Sequence, residues 1–457
     1  MNPSRRHSLQ RLAALSASAA LAYPEASAMN FDTARIDTLV DAAFEYAFPL
    51  YEMARTRFNA LDNPANPRRG QVNTAGHQRN LADHRSRAVT TPNNDTLYSS
   101  AWLDLSAGPV EVSVGRLGVG RYWSVALMDF FTNHPAILGS RSEGQGPVQA
   151  HLVGPDWRGA RPSGRVIAMP GNDVWLLSRW LAEGPHDLEA ARAMQDALRV
   201  TPSATPAALS RVVPRNSRDA ENFLAVVNEA LARNPAPVNE GADLARHAQV
   251  GLHGGRGPAW ASLDEGLRGA WQRRIGPAHD ALRSGLLRDG RLVQGWSQPS
   301  ASLGNFGCDH VLRASVALGG LAALPPEEAV YLSRQTDSHG QILDGAQAWR
   351  IRMPSGGVPC DAFWSLSVYE RMPDGRLFFA ENPIGRFAIG DRTRGIEVQA
   401  DGSMDIWLQR AEPTDPQRRR NWLPAPAGPL HLTLRAYLPK SALRDGTAEL
   451  PTVARAD

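Results

Sequence analysis

The chain has 457 residues, of which 42% are hydrophobic and 21% are charged. This length favours two domains, and the composition is that of a globular protein, which excludes an extensively disordered chain and a multi-span membrane protein. The formal net charge is only +3, and residues 1–28, with three arginines and one glutamate, hold most of it. Because no long basic block follows, we do not expect a nucleic-acid partner.

The first 28 residues have the three parts of a twin-arginine export signal. Arg5 and Arg6 lie in a polar start, an apolar run follows at residues 12–21, and Ala26-Ser27-Ala28 matches an A-x-A cleavage site. The alternative is a basic amphipathic helix at the start of a cytosolic protein. Because the apolar run is too short for an anchor, the sequence predicts a periplasmic or secreted protein without stable membrane insertion after cleavage.

Residues 29–185 are predicted to form a helix followed by a β domain. Apolar residues recur every three or four positions over residues 32–60, where Pro49 either breaks the helix or starts its second half. An irregular crossing covers residues 61–90, and short alternating segments separated by Gly, Pro and Asp then indicate a sandwich or barrel. Strands are predicted at residues 109–114, 121–128, 148–153, 165–169 and 174–180.

Residues 186–325 are predicted to be mainly helical, and residues 326–457 to form a second β domain. Helices are expected at residues 189–198, 220–232, 263–275 and 278–287. The C-terminal strands are expected at residues 348–353, 363–369, 386–390, 396–399, 404–409 and 430–438, with Asp401-Gly402 as a hairpin turn. The predicted fold is therefore α+β and β-rich, with two β-sandwich-like units separated by a mainly helical segment.

The two β halves share one local pattern. Residues 123–127 and 364–368 both begin with a Trp-Ser pair that leads into an apolar strand, and an acidic residue and a loop follow each. Two related sandwiches would produce this pattern, and so would two independent solutions to one packing problem. We favour the second interpretation.

Longer motifs resemble a known pair of bacterial domains. The N-terminal half resembles the domain of unknown function 1254 at PNNDTLYS (92–99), AWLDL (101–105) and RYWSVALMD (121–129). The C-terminal half resembles the domain of unknown function 1214 at FWSL (363–366), ENPI (381–384), IGDR (389–392) and NWLPAP (421–426). The resemblance covers nearly all of the predicted mature chain and implies two β-sandwich-like units with an intervening helical part. It carries no catalytic residues over to this chain.

A polar turn and the strand after it contain the first candidate site. Asn93, Asn94 and Asp95 could orient a polar ligand or bind a hard cation through oxygen. The alternative is that Asn94 and Asp95 hydrogen-bond the amides of their own turn. Tyr98 and Trp102 fall on one face of the following strand, where they could form a pocket wall or part of the core.

The loop after the predicted strand at 121–128 contains the second candidate site. Asp129, Asn133, His134 and Arg141 combine an acid, an amide, an imidazole and a guanidinium. Such a set could perform general acid–base chemistry or hold a carboxylate. The alternative is a solvated connection with one or two stabilising pairs.

A third group of polar residues lies in the C-terminal half. Asn382, Arg386 and Arg392 could bind an anionic substrate. Asp391 and Arg392 could instead form an ion pair that fixes a loop, and we favour this structural role.

No established metal or hydrolase motif accompanies these residues. The sequence has neither His-x-x-x-His nor a Cys/His zinc spacing, and it has no Gly-x-Ser-x-Gly elbow. We therefore predict no metal site, and the cofactor stays unknown. Cys308 and Cys360 permit a disulfide in an oxidising compartment, with two free thiols as the equal alternative.

Two functional hypotheses follow from the sequence. In the first, the protein binds a small organic molecule where the β units meet the helical segment and transforms it by hydrolysis or related acid–base chemistry. The catalytic candidates are Asp95, Asp129 and Arg141, and the ligand-binding candidates are Asn93, Asn94, Tyr98, Trp102, Asn133, Asn382, Arg386 and Arg392. In the second hypothesis the protein is a non-catalytic periplasmic binding or assembly protein. Homo-oligomers are compatible with both.

Overall fold

A computed structural model of the protein describes residues 25–118, 120–255, 259–285 and 290–456. The predicted export signal lies outside these ranges except for residues 25–28, which form the first turn of the N-terminal helix. The described chain contains two β-sandwiches and a layer of helices. This architecture confirms the predicted β-rich α+β fold with a helical middle segment.

The N-terminal sandwich consists of two sheets. Sheet N1 has the strand order β1-β2-β8-β4-β5, and sheet N2 has the order β7-β6-β3-β9, in which only β6 and β7 are parallel. Alternate residues of both sheets, such as Leu97, Val112 and Trp123, point into one buried core. The elements are β1 (Gly76–His77), β2 (Thr96–Asp104), β3 (Val110–Val114), β4 (Trp123–Met128), β5 (Ala136–Gly139), α2 (Ser140–Glu143), β6 (Val148–Val153), β7 (Val166–Ala168), β8 (Asp173–Leu181), α3 (Leu188–Asp196) and β9 (Leu198–Pro202).

The C-terminal sandwich also consists of two sheets. Sheet C1 has the order β10-β11-β12-β19-β14-β15, with β16 also paired to β14. Sheet C2 has the order β18-β17-β13-β20, in which only β17 and β18 are parallel. The elements are β10 (Gly290–Val293), β11 (Trp296–Pro299), β12 (Ala329–Arg334), β13 (Trp349–Met353), β14 (Cys360–Arg371), β15 (Leu377–Phe378), β16 (Ala388–Gly390), β17 (Met404–Gln409), α9 (Pro416–Arg420), β18 (Trp422–Pro424), β19 (Leu430–Pro439), α10 (Ser441–Asp445) and β20 (Thr452–Arg455).

The two sandwiches have the same topology. Strands β2, β8 and β4 of sheet N1 correspond in chain order and pairing to β12, β19 and β14 of sheet C1. The order of sheet N2 likewise matches that of sheet C2, including its one parallel pair, and a short helix precedes the last strand of each unit. The shared pattern at residues 123–127 and 364–368 lies on the equivalent strands β4 and β14. It therefore belongs to a repeated architecture, contrary to the interpretation favoured from the sequence.

Six helices form a layer against one part of the outer face of sheet N1, the part that carries Trp102 and Trp175. They are α1 (Glu25–Leu61), α4 (Ala220–Arg233), α5 (Gly241–His247), α6 (Ala259–Ser262), α7 (Glu265–Gly285) and α8 (His310–Gly319). Their core surrounds Phe44, Phe223 and Trp271 and continues onto the sheet through Trp102 and Trp175. Within the described ranges, no helix combines the length and apolar character needed to cross a membrane.

Two local predictions were wrong. The two helices expected on either side of Gly276-Pro277 are one continuous helix, α7. Of the two alternatives left open at Pro49 the break does not occur, because α1 continues through this residue. A proline inside a helix removes one hydrogen bond, but the buried apolar faces hold these helices together. Residues 396–399 are not a strand, because the Asn421 side chain bonds both the backbone N–H and the carbonyl of Glu397 in place of a neighbouring strand.

Both sandwiches extend beyond the boundaries expected from the sequence. Strand β9 pairs with β3 and so carries the N-terminal sandwich to residue 202, past the predicted boundary at 185. Strands β10 and β11 join sheet C1 before the predicted boundary at 326. Cys308 and Cys360 are free thiols.

Candidate functional site

The outer faces of sheets N1 and C1 pack against each other and form a buried interface. Sheet N1 contributes Tyr122, and sheet C1 contributes Phe363 and Tyr437, whose rings contact one another at centroid distances of 4.3, 4.9 and 5.8 Å. All three residues are fully buried. Polar groups within this interface are therefore removed from bulk water, which makes each unpaired group energetically unfavourable.

Each sheet presents one row of four residues to the interface. Strand pairing in sheet N1 aligns Tyr98, Arg179, Ser124 and Gly139, which we call the N-terminal row. The same register in sheet C1 aligns Tyr331, Arg435, Ser365 and Gly390, the C-terminal row. The same four residue types thus occupy equivalent positions, so the repeat extends from topology to chemistry.

The glycine at the end of each row permits close contact between neighbouring strands. A Cβ on Gly139 would lie 2.6 Å from the Trp123 carbonyl oxygen, and a Cβ on Gly390 would lie 2.2 Å from the Trp364 carbonyl oxygen. Both distances are far below van der Waals contact. Strands β5 and β16 can therefore approach the serine-bearing strands only with glycine at these positions.

An acidic residue before the first strand of each row reaches across the interface. Asp95 accepts a hydrogen bond from the Ser365 hydroxyl. Glu328, at the equivalent position, accepts from the Tyr122 hydroxyl at 2.8 Å and from Arg141 Nε at 2.9 Å. Each acid therefore contacts the other sandwich, but only Asp95 contacts a serine of a row.

The two row arginines form a second reciprocal pair of contacts. Arg179 Nη2 donates to the Ala322 carbonyl at 2.7 Å, and Arg435 Nη2 donates to the Thr91 carbonyl at 3.1 Å. Ala322 and Thr91 have φ angles of 66° and 49°, in the left-handed region that non-glycine residues rarely adopt. Each arginine thus holds a strained turn of the opposite sandwich, and such strain is common at functional sites.

Only the C-terminal row has its arginine fully paired. Arg435 Nη1 donates to Ser367 at 3.0 Å. Arg179 Nη1 has no hydrogen-bond partner among the described residues, although Arg179 is only 5% exposed. The cause is a substitution within the repeat, because Ala126 occupies the position in sheet N1 that Ser367 occupies in sheet C1.

The serine of the N-terminal row is also unpaired. Ser124 Oγ is fully buried, and no described group hydrogen-bonds it. The neighbouring Tyr122 hydroxyl donates to Glu328 and makes no hydrogen bond of normal geometry with Ser124. The N-terminal row therefore presents two buried polar groups that its C-terminal counterpart pairs internally.

Three residues beside these groups keep accessible surface. Asp95, Tyr98 and Tyr331 are half-buried, and the Arg179 guanidinium lies 5.5 Å from the centre of the Tyr98 ring. Burial raises the pKa of Asp95 above its usual value, although Arg435 and the Ser365 hydroxyl act in the opposite direction. Asp95 therefore keeps its proton to a higher pH than an ordinary aspartate.

A cavity of about 590 Å³ opens at the C-terminal side of the interface. Ala329 and Tyr331 form part of its wall, and Arg291 and Arg444 also line it. Its volume suits a small organic molecule. A second cavity, beside Glu229, has about 20 Å³ and can hold no more than a water molecule.

Two of the predicted asparagines have structural partners at this interface. The Asn93 side chain donates to the Tyr437 hydroxyl at 2.8 Å and accepts from the Asp95 backbone N–H at 2.7 Å. The Asn94 side chain donates to the Ala82 carbonyl. Asn93 thus orients the turn that carries Asp95 and ties it to the opposite sandwich, while Asn94 fixes the preceding loop.

Asp129, Asn133 and Trp102 lie apart from the two rows. Asp129 accepts from the Asn133 backbone N–H at 2.9 Å, and Asn133 Oδ1 accepts from the Phe306 N–H at 3.1 Å. Burial raises the pKa of Asp129 to about 7. Trp102 stacks on Trp175 within the core shared with the helices. The structure therefore does not bring Asp129 into one site with Asp95 and Tyr98.

The predicted residues of the C-terminal half have backbone or ion-pair partners. Asn382 closes its own loop onto the Arg386 backbone, and Arg386 Nη1 donates to the Trp422 carbonyl at 2.8 Å. Arg392 lies 3.2 Å from Glu183 of the N-terminal sandwich. These contacts give the three residues structural roles away from the rows.

The sequence did not reveal Arg179, Arg435, Tyr331 or Glu328 as site residues. Arg179 and Arg435 lie within largely apolar stretches of β8 and β19, and a buried charge in such a stretch is a signal of function or of a specific partner. That signal is present in the sequence. The alignment of these residues across the sheets is not, because it depends on the pairing of distant strands.

The donors at the rows do not form a metal site. Among residues 25–118, 120–255, 259–285 and 290–456, no group of three or more His, Cys, Asp or Glu side chains is arranged to hold a metal ion. A guanidinium and hydroxyl groups instead provide positive charge and hydrogen-bond donors. This donor set is suited to an oxyanion.

Comparison with known proteins places both halves in families without an assigned function. Residues 72–202 match the family described as protein of unknown function DUF1254, and residues 328–441 match the one described as protein of unknown function DUF1214. No curated protein matches the sequence. The two matched segments contain both rows and both partners of the Arg435–Thr91, Ser365–Asp95 and Tyr122–Glu328 contacts, whereas the Ala322 carbonyl that Arg179 bonds lies outside them.

A solved structure shows the same fold. The crystal structure of the VPA0106 protein from Vibrio parahaemolyticus is 22% identical, with a TM-score of 0.72 over 92% of this chain and 100% of that chain. The crystal structure of an uncharacterized protein from Burkholderia cenocepacia is 14% identical, with a TM-score of only 0.45 over 94% of this chain and 96% of that chain. The N-terminal half therefore contains a segment that matches the DUF1254 family, at residues 72–202, and the C-terminal half one that matches the DUF1214 family, at residues 328–441.

Proposed function

We propose that the protein binds a small organic anion between sheets N1 and C1, with Arg179 as the charge partner. The observation that carries this proposal is the buried Arg179 Nη1, which has no hydrogen-bond partner among the described residues. Arg179 also forms no ion pair with a described carboxylate. A buried guanidinium without a counter-charge is unfavourable. The attraction between this guanidinium and an anionic ligand would therefore be stronger than the same attraction at the surface.

The surroundings of Arg179 support an organic ligand. Tyr98 lies beside the guanidinium and keeps accessible surface, and no described group hydrogen-bonds its hydroxyl. Tyr122, Phe363 and Tyr437 add aromatic surface to the same interface. A few placed polar groups among aromatic side chains are typical of small-molecule sites.

Asp95 gives this site a group suited to acid–base chemistry. Burial raises its pKa, so it holds a proton to a higher pH than an ordinary aspartate, and the Ser365 hydroxyl fixes the position of its carboxyl group. The second candidate function is therefore transformation of the bound anion, with Asp95 as the proton-transferring group. The recovered ligand decides between the two functions, because binding alone returns it unchanged whereas catalysis yields product that Asp95→Asn abolishes.

We also propose that the protein acts outside the cytoplasm after removal of its first 28 residues. The twin-arginine pattern at Arg5 and Arg6 and the Ala26-Ser27-Ala28 site support this proposal. Fractionation of cells that produce the full chain tests it. The wild type should appear in the periplasm with a shortened N-terminus, and Arg5→Lys combined with Arg6→Lys should retain it in the cytoplasm.

Thermal-shift titration tests the proposed binding. Small carboxylates, phosphates and sulfonates are added at constant ionic strength to the wild type, to Arg179→Met and to Arg116→Met, which removes an exposed charge from the same sandwich. At least one class of anion should raise the melting temperature of the wild type and of Arg116→Met, but not that of folded Arg179→Met. An equal rise in Arg179→Met would contradict the proposal.

A further inference from the structure

We propose that the anion bound by the N-terminal row is a carboxylate that accepts a hydrogen bond from Ser124, as Asp95 does from Ser365, and a second one from the free Nη1 of Arg179. The inference rests on the proposed function and names its ligand class. Its basis is the equivalence of the two rows, because one of them shows a carboxyl group in place.

The C-terminal row provides this internal example. Ser365 donates to the Asp95 carboxyl group, and the nearby Arg435 favours its negative charge. Arg435 itself bonds Ser367 and the Thr91 carbonyl and not the Asp95 carboxyl group. The serine of the C-terminal row is thus paired with a carboxyl group from the other sandwich.

The N-terminal row lacks such a carboxyl group. By the symmetry of the two sandwiches, Glu328 would take the place beside Ser124 that Asp95 takes beside Ser365. It instead accepts from Tyr122 and Arg141. Ser124 therefore lacks the carboxyl partner that Ser365 has, the neighbouring Arg179 keeps a free donor, and a ligand from solution can supply the carboxylate.

The charge balance also favours a carboxylate over a phosphate. Arg179 brings one positive charge that no described ion pair neutralises. A carboxylate brings one negative charge, so the pair is neutral when the site closes, whereas a phosphate dianion would leave an excess negative charge away from water. The hydroxyl groups of Ser124 and Tyr98 can donate to its oxygens.

The same equivalence assigns a specificity-determining role to Ala126. In the C-terminal row the hydroxyl of Ser367 accepts from Arg435 Nη1, and Ala126 leaves the corresponding Nη1 of Arg179 free. Ala126→Ser would place a hydroxyl where Ser367 has one. The new serine should then occupy Nη1 of Arg179, so a bound carboxylate would keep only its hydrogen bond from Ser124, as Asp95 keeps only that from Ser365.

Calorimetric titration of the full chain tests the inference, with ligands that carry the same phenyl ring and differ in the polar group attached to it. The probes are benzoate, phenyl phosphate, benzenesulfonate and the neutral benzamide, with acetate and inorganic phosphate as the pair without a ring. Benzoate and acetate should bind at least tenfold more tightly than the matching phosphates, and benzamide should not bind. Ala126→Ser should weaken benzoate binding at least tenfold, while the control Ala168→Ser, on an exposed position of β7, should leave it unchanged.

The outcomes distinguish a failure of the carboxylate assignment from a failure of the proposed anion binding. If phenyl phosphate or benzenesulfonate binds more tightly than benzoate and Arg179→Met abolishes that binding, the carboxylate assignment is wrong while the anion site stands. If none of the anions binds, both proposals are wrong. Ser124→Ala is the second variant should Ala126→Ser fail to fold, and benzoate affinity unchanged by it would overturn the proposed placement of the carboxylate.

Discussion

Ser124 and Ser365 occupy equivalent positions in two sandwiches of identical topology, yet only Ser365 has a hydrogen-bond partner. Each serine pairs in register with a buried arginine, and each arginine bonds a strained turn of the other sandwich. The interface therefore contains the same arrangement of residues twice. The two arrangements differ because Asp95 accepts a hydrogen bond from Ser365, whereas no described group hydrogen-bonds Ser124.

The two rows therefore differ in how far their polar groups are paired within the protein. The C-terminal row is paired within the protein and joins the two sandwiches through Asp95, Ser365 and Arg435. The N-terminal row makes one of the joining contacts, through Arg179 and Ala322, and keeps the rest of its donors free. Equivalent substitutions in the two rows should therefore have different effects on stability.

The first prediction compares the two serines. Ser365→Ala removes the hydroxyl that donates to Asp95 and should lower the free energy of unfolding by about 1–2 kcal/mol, because a half-buried carboxyl group loses its donor. Ser124→Ala removes a group without a partner and should change it by less than about 0.5 kcal/mol. Urea denaturation at one pH measures both values, and equal losses would show that Ser124 is paired after all.

The second prediction compares the two arginines. Arg435→Met breaks the contacts with Ser367 and Thr91 and removes the charge that opposes protonation of Asp95, so we expect a loss of about 2–4 kcal/mol. Arg179→Met gives up one hydrogen bond to Ala322 but also removes a buried charge without a counter-ion. Its stability should stay within about 1 kcal/mol of the wild type.

The same denaturation series checks the arginine pair. Each variant is compared with Arg116→Met, which should leave stability unchanged because Arg116 is exposed. A loss at Arg179 as large as that at Arg435 would assign Arg179 a structural role equal to that of its counterpart. A stable Arg179→Met protein that no longer responds to anions would separate binding from folding.

The sequence predicted the elements of this fold better than its site. Alternation around Val112 and Trp123 predicts strands because each side of a strand has a different neighbour. Proline was misleading at Pro277, because the buried surface of α7 outweighs one lost hydrogen bond. Strand formation is local, whereas the stability of a proline-containing helix depends on packing that the local pattern does not show.

The site depends on strand pairing, which local patterns do not specify. Asp95 and Tyr98 were found because they lie in one motif. Asp129, predicted in a second candidate site, follows β4 at the end that packs against the helices. Ser124 meets Arg179 only through the pairing of β4 with β8. The shared Trp-Ser pattern was the one sequence signal that two equivalent rows exist, and recognising it required the topology.

The third prediction tests the equivalence of the rows through their glycines. Gly139→Ala and Gly390→Ala would each place a methyl group against a backbone carbonyl oxygen, at 2.6 and 2.2 Å respectively. Each substitution should cost about 1–3 kcal/mol, because a strand must move to relieve the contact. The control is Gly428→Ala, whose added Cβ would meet nothing within 4 Å. Thermal unfolding measures all three, and an unchanged melting temperature at both row glycines would refute the close approach.

The fourth prediction concerns the dependence of stability on pH. Burial raises the pKa of Asp129 to about 7, above the ordinary aspartate value of about 3.9. Between these values the folded state binds one proton more than the unfolded state, so the free energy of unfolding falls as pH rises. Asp129→Asn removes this titration. Relative to the variant, the wild type should lose roughly 3 kcal/mol between pH 5 and pH 8.

The difference between wild type and Asp129→Asn isolates this one group. Asp95 has a raised pKa and acts in the same direction, whereas His134, His247 and His431, whose pKa values burial lowers to about 4, act in the opposite direction below pH 6.5. These contributions are common to both proteins and cancel in the difference. Asp361→Asn, which changes an exposed carboxylate, should give parallel curves. If Asp129→Asn also gives curves parallel to the wild type, Asp129 is ionised in the folded state throughout this range, and the network around Asn133 stabilises the charge more than burial opposes it.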